Sequence, residues 1–272
     1  MARTILVTGA TDGLGRGVAL ALARRGDTVL IHGRDERRIA RTLDELKHAA
    51  PRAELRSYRA DFAELAQVRE LARQILGRET QLDVLINNAG IGTQVPGGPL
   101  RQVSHEGYEL RLAVNYLAPF LLTRLLLPLI ERSAPARIVN ISSLGQQAID
   151  FDDPMLERGY SGVRAYCQSK LAQILFTIDL AEPLGSRNVS VLALHPATYM
   201  PTKIVASPVS SLEEGIAATV RLAAEPDLAA VSGKFFDGPH ERRADAQAYD
   251  PEARRKLRVL SEKLTGLSPL AG

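Results

Sequence analysis

The chain has little cysteine and no tryptophan. Cys167 is the single cysteine in 272 residues, so an internal disulfide framework is excluded and the composition is typical of a reducing compartment. The formal net charge is +3, from 34 basic and 31 acidic residues, a balance that does not indicate a nucleic-acid partner. The five histidines are scattered without metal-ligand spacing. We therefore expect no disulfide, no nucleic-acid partner and no metal site.

A signal peptide and a long uninterrupted hydrophobic run are also lacking. The N-terminal "MARTILVTGA" enters a strand-like apolar run directly, without an h-region and cleavage site. The longest apolar-rich stretch, around Leu117 to Ile130, is interrupted by Pro119, Arg124 and Pro128. We expect this stretch to be too short and too broken to span a bilayer. The sequence predicts a cytoplasmic protein without membrane insertion.

Short β-branched apolar runs alternate with longer helical patterns along the chain. The runs are "TILVT", "TVLIHG", "LRSYRA", "VLINN", "RIVNIS", "SVLALH" and "GKFFDG". Continuous rather than alternating apolar strands indicate burial on both faces, and strand–helix alternation favours a parallel sheet. No repeat, low-complexity tract or long linker divides the chain. The sequence predicts one α/β domain over residues 1–272, a doubly wound parallel sheet (Rossmann fold) of about seven strands flanked by helices.

Two long segments interrupt this alternation, at residues 144–165 and 197–212. Both follow predicted strands, and long loops at the carboxyl ends of parallel strands are where a doubly wound sheet places its ligand crevice. We predict that they are substrate loops.

A glycine-rich loop, "TGATDGLG", follows the first predicted strand and opens a helix. Glycines allow the tight turn and the close approach of a pyrophosphate, whose charge lies at the helix N-terminus. A glycine turn that serves packing alone is the structural alternative, and the strand–loop–helix context favours nucleotide binding. The predicted cofactor contacts here are Gly9, Thr11, Asp12, Gly13, Leu14 and Gly15.

The end of the second strand, "LIHGRDE", decides between the two nicotinamide cofactors. An acidic residue there would bind the ribose 2′-hydroxyl of NAD, whereas an arginine pairs with the 2′-phosphate of NADP. Arg34 comes before Asp35, so the sequence favours NADP(H), and Asp35 keeps NAD(H) as the less favoured alternative.

Four further motifs follow in order: "NNAG" after the fourth strand, Asn115 in an apolar helical run, "NISS" after the fifth strand, and "YCQSK". Tyr166 and Lys170 are four residues apart and share one helical face. Tyr160 has no lysine four residues later, since position 164 is arginine, so it is interpreted as a loop residue near the substrate entrance.

This collinear set resembles the short-chain dehydrogenase/reductase family, with the match running over roughly residues 3 to 240 from "TGATDGLG" to "HPATYMPT" and "SGKFFD". Ordered motifs of this kind are more specific than any one of them. The long insert before "AYCQSKLAQILFT" is similar to that of the retinol-dehydrogenase-like, NADP-preferring branch.

The resemblance implies a role for each matching residue. Tyr166 would be the general acid/base, and Lys170 its electrostatic partner, which also holds the nicotinamide ribose. Ser143, rather than Ser142, would position the substrate oxygen, and Asn115 would anchor a proton-relay water beside Lys170.

Further cofactor contacts are implied by the same resemblance. Asp61 and its neighbour Phe62 would lie at the adenine end. The turn from Asn87 to Gly90, with Asn88 and Ala89, would line the cleft. Pro196 and Thr202 would belong to the nicotinamide cover. The family's usual Pro–Gly is Pro196–Ala197 here, which puts the fit of that cover in question.

The leading hypothesis is an oxidoreductase that transfers a hydride between NADP(H) and a carbonyl/alcohol pair on a lipophilic small molecule. Lysine beside a tyrosine stabilises the phenolate and brings its pKa toward the working range. The alternatives are an NADP(H)-binding regulatory protein without turnover and a reductase of an activated C=C bond. The helices of 104–133 and 166–184 could form the four-helix interface of a homodimer or homotetramer, as the resemblance implies.

Overall fold

Eight strands form one sheet in the part of the chain that the structure describes. The structure is a computed structural model, and it describes residues 2–93, 100–198, 200–201, 209–228 and 230–270. The strands are β1 (Thr4–Val7), β2 (Thr28–Gly33), β3 (Leu55–Arg59), β4 (Val84–Asn87), β5 (Ala136–Ile141), β6 (Val189–His195), β7 (Lys234–Asp237) and β8 (His240–Glu241). All neighbouring pairs are parallel except β7 and β8. The predicted doubly wound parallel sheet is confirmed, and the eighth strand is a two-residue antiparallel addition at its edge.

The strand order β3-β2-β1-β4-β5-β6-β7-β8 places the point of chain reversal between β1 and β4. In such a sheet the ligand crevice lies outside the carboxyl ends of the strands at this point. The connecting helices are α1 (Gly13–Arg24), α2 (Glu36–Ala49), α3 (Leu65–Arg78), α4 (Leu110–Leu112), α5 (Ala118–Arg132), α6 (Gly162–Gly185), α7 (Leu212–Ala224) and α8 (Pro251–Thr265).

The sheet is buried on both faces, as its continuous apolar strands predict. Successive side chains of a strand point to opposite faces. Ile5 and Val7 of β1 therefore belong to one hydrophobic cluster, with α1 and α7, whereas Leu6 belongs to the other, with α3, α5 and α6. The two clusters explain why period-two alternation is missing from the sequence.

The apolar run after residue 110 is one continuous helical segment, Leu110–Arg132, with a π-helical turn at Ala113–Leu117 between α4 and α5. The expected interruption is wrong, because the helix runs through Pro119, which follows the π-helical turn directly, and continues past Pro128. By length and composition alone this segment could cross a membrane. In the fold, 78% of its most apolar stretch is buried inside the protein, as in a core helix.

The outer side of α5 and α6 is covered by α8. The Tyr116 and Ser261 hydroxyl groups share a hydrogen bond of 2.7 Å, and Arg258 pairs with Asp179 of α6 at 2.8 Å. Leu257 of α8 is buried in the same hydrophobic cluster as residues of α5 and α6, with 2% of its surface exposed. The oligomer that the resemblance implies stays a prediction.

Candidate active site

The glycine loop packs directly on the turn that follows β4. Gly9 and Gly13 have φ values of 66° and 46°, in the left-handed region that favours glycine. A methyl group on Gly9 would lie 2.8 Å from Cα of Ala89, and one on Gly15 would lie 2.4 Å from Nδ2 of Asn88. These glycines are therefore required for the contact between the two predicted cofactor segments.

The Thr8 hydroxyl group stabilises the contact between the glycine loop and the turn after β4. Its Oγ1 accepts hydrogen bonds from the backbone N–H groups of Asn88 (2.9 Å) and Ala89 (3.0 Å), and the Asn88 amide donates to the Thr8 carbonyl at 2.8 Å. Thr11 is buried beside Gly33, where a methyl group would lie 2.6 Å from Cγ2 of Thr11. Leu14 belongs to the core, so it supports the loop from behind.

Basic side chains gather where β2 and the glycine loop meet. Arg38 of α2 pairs with Asp12 at 2.6 Å, and Asp12 also caps α1 by accepting from the N–H of Gly13. Asp35 caps α2, and its hydrogen bond from the Arg38 backbone N–H lowers its pKa below the ordinary value. Arg34 is exposed at the end of β2. The carboxylate predicted as the alternative NAD ligand is thus occupied as a helix cap.

Arg59 joins this basic edge, because its Nε donates to the Arg34 carbonyl at 3.2 Å. Sequence reasoning identified Arg34 but missed Arg38 and Arg59. Their patterns match a solvated helix face and an edge strand, and no motif marks them.

His32, which the sequence did not single out, holds the glycine loop from β2. Its Nδ1 accepts from the N–H of Gly9 at 3.2 Å, and its Nε2 lies 3.1 Å from the Ala60 carbonyl. Burial lowers the pKa of the ring to about 4, so the imidazole is neutral and can accept from Gly9 while donating to Ala60. It stacks on Phe62 with ring centroids 4.4 Å apart. Asp61, beside Phe62, accepts from the N–H of Ala63 at 3.0 Å.

Lys170 is buried one helical turn after Tyr166, with 5% of its surface exposed. Its ammonium donates to the Ile141 carbonyl at 2.8 Å and to Oε1 of Gln173 at 3.2 Å, and it lies 5.8 Å from the centre of the Tyr166 ring. Burial lowers the pKa of Lys170 to about 7. A methyl group on Gly90 would lie 3.5 Å from this nitrogen, so Lys170 reaches the turn that faces the glycine loop.

Gly145 is the point around which Ser143 and Tyr166 converge. A methyl group there would lie 3.4 Å from Oγ of Ser143 and 3.7 Å from Cε1 of Tyr166. The Ser143 hydroxyl accepts from the N–H of Gly145 at 3.0 Å, which leaves its own proton to donate to a ligand. The Ser142 hydroxyl instead donates to the Lys170 carbonyl at 2.7 Å and is buried. The two serines therefore have different surroundings, and Ser143 lies beside Tyr166.

Asn115 lies within the π-helical turn and is fully buried. Its Oδ1 accepts from the N–H of Ile91 at 2.8 Å, and its Nδ2 donates to the Ile91 carbonyl (3.1 Å) and to Ser169 (3.0 Å). π turns of this kind are frequent at functional sites. Asn115 thus ties the turn after β4 to the helix that carries Lys170.

Asn87 supports the same region from behind rather than lining the cleft. It is fully buried, and its Nδ2 donates to Thr123 (2.9 Å) and Asn140 (2.8 Å).

Arg111 is a buried cation that the sequence did not single out. Its guanidinium donates to the carbonyls of Gly92 (2.9 Å) and Thr93 (2.6 Å) and to the Tyr160 hydroxyl (2.5 Å). Glu109 accepts from that hydroxyl at 3.1 Å. Tyr160 is thus part of a cluster that joins the loop at 144–165 to the turn after β4, and its pKa is raised by burial and by Glu109.

The segment after β6 contains the predicted nicotinamide cover. Pro196 is buried directly after the strand. Positive φ occurs among described non-glycine residues only at Leu156 and Asn188, so Ala197 has a backbone conformation open to any residue. Thr202 and much of the loop at 197–212 lie outside the described residues.

The acidic stretch at 150–153 is built into the substrate loop. Asp153 is buried and accepts from the N–H groups of Glu157 (2.8 Å) and Arg158 (3.0 Å), which lower its pKa. Asp150 pairs with Arg164 at 3.0 Å. Asp153 therefore stabilises the conformation of this loop from inside. The described residues contain no cluster of three or more His, Cys, Asp or Glu side chains that could hold a metal ion.

The site combines a glycine loop at the switch point of the sheet, a basic edge at β2, and Ser143, Tyr166 and Lys170 at the carboxyl side. This combination is typical of a dinucleotide-dependent oxidoreductase. A family model described as "short chain dehydrogenase" matches residues 3–211. The chain belongs to the short-chain dehydrogenase family, and it is an enzyme of that family.

Curated relatives extend over almost the whole chain. Human retinol dehydrogenase 13 is 38% identical over 97% of this chain and 85% of its own length. Human retinol dehydrogenase 14 is 36% identical over 97% of this chain and 87% of its own length. The similarity to the retinol-dehydrogenase branch is confirmed.

Solved structures show the same fold. A short chain dehydrogenase from Salmonella enterica serovar Typhi has a TM-score of 0.72 and 26% identity, and the match covers 88% of this chain and 97% of that one. The Pseudomonas aeruginosa RhlG/NADP active-site complex has a TM-score of 0.68 and 27% identity, covering 87% and 95%.

Proposed function

We propose that the protein transfers a hydride between NADP(H) and a carbonyl/alcohol pair on a lipophilic small molecule, with Tyr166 as the general acid/base. The observation that carries the proposal is the convergence of Ser143, Tyr166 and buried Lys170 beside Gly145 and Gly90. Ser143 follows β5, whereas Tyr166 and Lys170 share α6, and the two segments meet at the carboxyl edge of the sheet.

The residues around the switch point fit a dinucleotide. The left-handed glycines let the loop lie against the turn after β4, and the positive end of the α1 helix dipole would hold a pyrophosphate. Lys170 is close enough to Gly90 to meet a ribose placed in this cleft. When bound, the nicotinamide supplies or takes the hydride.

Tyr166 moves the proton. In the reductive direction its hydroxyl donates to the developing alkoxide, and in the oxidative direction its phenolate takes the alcohol proton. A free tyrosine has a pKa of about 10, so ionisation near neutral pH needs a nearby positive charge. The Lys170 ammonium, on the next helical turn, supplies that charge when it is protonated.

Ser143 and Asn115 hold the geometry. The Ser143 hydroxyl donates to the substrate oxygen as negative charge develops on it. Asn115 keeps the turn after β4 and the helix of Lys170 at a fixed separation through its bonds to Ile91 and Ser169. Reaction geometry then depends on α6 and on the π turn rather than on the loops.

NADP(H) is favoured over NAD(H) by the charges at the end of β2. Arg34, Arg38 and Arg59 lie around the place where the 2′-phosphate would bind, and Asp35 is engaged as a helix cap. Planar guanidinium groups are suited to bidentate phosphate contacts. The RhlG complex, which contains NADP, supports the same preference.

A lipophilic substrate is supported by the relatives' names and by the loop at 144–165. Two of the most similar curated relatives are retinol dehydrogenases. Within the loop, Leu144, Phe151 and Met155 are partly buried apolar side chains that pack on the core.

A cytoplasmic location is likewise a proposal that follows from the sequence.

The test is oxidation of NADPH and of NADH with retinal, a series of linear aldehydes and simple ketones. We expect turnover with a lipophilic aldehyde and a clear preference for NADPH. Product analysis separates an alcohol from a product reduced at a C=C bond. Absence of carbonyl reduction across the panel, with the cofactor shown by calorimetry to bind, would contradict the proposal.

A further inference from the structure

Gln173 lies one helical turn beyond Lys170 and touches its ammonium group. It has 1% of its surface exposed, and its Oε1 accepts from Lys170 Nζ at 3.2 Å. The Ile141 carbonyl accepts from the same nitrogen at 2.8 Å. Two of the three ammonium protons therefore point to fixed acceptors inside the protein, which leaves the third for the cleft.

Both contacts favour the charged form of Lys170. A carbonyl or amide oxygen carries partial negative charge, and a hydrogen bond to the charged form of a group stabilises that form. Burial acts in the opposite direction and lowers the pKa of Lys170 to about 7. The acceptors therefore oppose the effect of desolvation at the residue whose charge the mechanism requires.

Packing alone does not account for a glutamine at this position. Among the described residues Gln173 Nε2 has no hydrogen-bond partner, although it is buried. Leaving a buried donor unpaired lowers stability, and an unbranched apolar side chain would fill similar space without that loss. The gain from a glutamine is the contact of its oxygen with Lys170.

The backbone of Gln173 is held by a row of buried polar groups. The Thr177 hydroxyl donates to the Gln173 carbonyl at 2.8 Å and accepts from Asn140 at 2.8 Å. Asn140 in turn accepts from Asn87 at 2.8 Å. This row connects α6 to β4 and β5, so the position of Gln173 is tied to the sheet.

We propose that Gln173 is a positioning residue that holds the Lys170 ammonium in its charged form and directs it toward Tyr166. The inference rests on the proposed roles of Tyr166 and Lys170. Gln173 touches neither the substrate nor the cofactor, and it acts through the lysine.

Two titratable groups share the surroundings of Lys170. Tyr166 is on the same helix, and His195 is at the end of β6, where burial, with a smaller effect from Lys170, lowers its pKa. The His195 ring contacts the Leu144 N–H (3.3 Å) and Thr198 (3.1 Å) and not Gln173. A change at Gln173 should therefore alter ionisation at Tyr166 and Lys170 and leave the contacts of His195 intact.

The test compares Gln173→Met, which keeps the length and removes the acceptor, with Gln173→Glu, which keeps an acceptor. Each variant is titrated by phenolate absorbance together with its own Tyr166→Phe counterpart, and the difference reports Tyr166 alone. We expect Gln173→Met to raise the Tyr166 pKa by about one unit, the change that corresponds to a ten-fold shift in its ionisation. Gln173→Glu should raise the Lys170 pKa above the wild-type value, because a carboxylate stabilises the ammonium more strongly than an amide oxygen does. Superimposed titrations for wild type and Gln173→Met would overturn the proposal.

Kinetics in the oxidative direction give a second readout, with retinol and 1-decanol as probes and NADP⁺ as the oxidant. In Gln173→Met, the rising limb of the plot of kcat/KM against pH should shift to higher pH by about one unit. Thr265→Val is the matched control, because it removes a buried hydrogen bond of α8, from the Thr265 hydroxyl to the Ser261 carbonyl (2.6 Å), without touching Gln173 or Lys170. It should lower Tm and leave the pH profile of kcat/KM unchanged. A lowered Tm with an unmoved limb in Gln173→Met would assign Gln173 a structural role only.

The two proposals fail in distinguishable ways. Wild-type turnover in Tyr166→Phe would refute the proposed function. Loss of turnover in Tyr166→Phe, together with an unshifted titration in Gln173→Met, would refute only the role of Gln173.

Discussion

Burial of Lys170 should make the stability of the fold depend on pH in a specific way. Its pKa is about 7 in the folded protein and 10.5 in the ordinary state, so between these values the unfolded chain binds more protons. Stability therefore rises with pH in this window, and the penalty for burying the lysine is largest below its lower end. Replacing the lysine with methionine removes this dependence while keeping an unbranched side chain.

The magnitude follows from the shift. Each pH unit inside the window changes the free energy of unfolding by up to about 1.4 kcal/mol. Allowing for partial ionisation near the folded pKa, the contribution from Lys170 rises by about 2 kcal/mol between about pH 7 and about pH 9. We expect the Lys170→Met protein to have the larger free energy of unfolding at low pH. The difference from the lysine protein should shrink by about 2 kcal/mol between about pH 7 and about pH 9.

The assay is urea unfolding of Tyr166→Phe and of Tyr166→Phe/Lys170→Met at a series of pH values. The phenylalanine background removes ionisation of Tyr166 itself, and all other titrating groups are common to both proteins and cancel in the difference. A difference in unfolding free energy that stays constant over the range would refute the reasoning. It would mean that Lys170 is solvated or keeps its ordinary pKa.

Four further substitutions test the cofactor cleft and the serine pair. Arg38→Ala should weaken NADP⁺ binding about ten-fold relative to NAD⁺ in calorimetry, because a charged hydrogen bond is lost; an equal loss for both would argue against a 2′-phosphate contact. Gly9→Ala should abolish measurable cofactor binding and lower Tm, because the added methyl group would lie 2.8 Å from Cα of Ala89 and the φ of this residue is 66°. Unchanged cofactor binding would contradict the role of the loop. Ser143→Ala should lower kcat about a hundred-fold, whereas Ser142→Ala should mainly lower Tm. The reverse pattern would show that Ser142, and not Ser143, contacts the substrate oxygen.

The sheet was predictable because its strands are short, apolar and regularly separated by helical patterns. β8 was not, since His240 and Glu241 are exposed polar residues that carry no hydrophobic signal. The helix through Pro119 and Pro128 was predicted within residues 104–133, but the expected interruption at its prolines does not occur. Tertiary burial of its apolar sides outweighs the local disfavour of proline.

The site was predictable only where contacts follow a motif. The glycine loop and the Tyr166–Lys170 pair are local patterns, so spacing reveals them. Arg38, His32 and Arg111 act through partners far away in the chain, such as Asp12 and the carbonyls after β4. Residue type alone cannot distinguish these from an ordinary surface arginine or core histidine.

The central claim is that the Tyr166 hydroxyl carries the proton in the reaction. The direct measurement is the rate of NADPH oxidation with retinal and with decanal by the wild-type protein and by Tyr166→Phe, after calorimetry has shown equal NADPH affinity. The proposed chemistry predicts a fall of about a hundred-fold or more in kcat for Tyr166→Phe. A rate within a few-fold of wild type would contradict it.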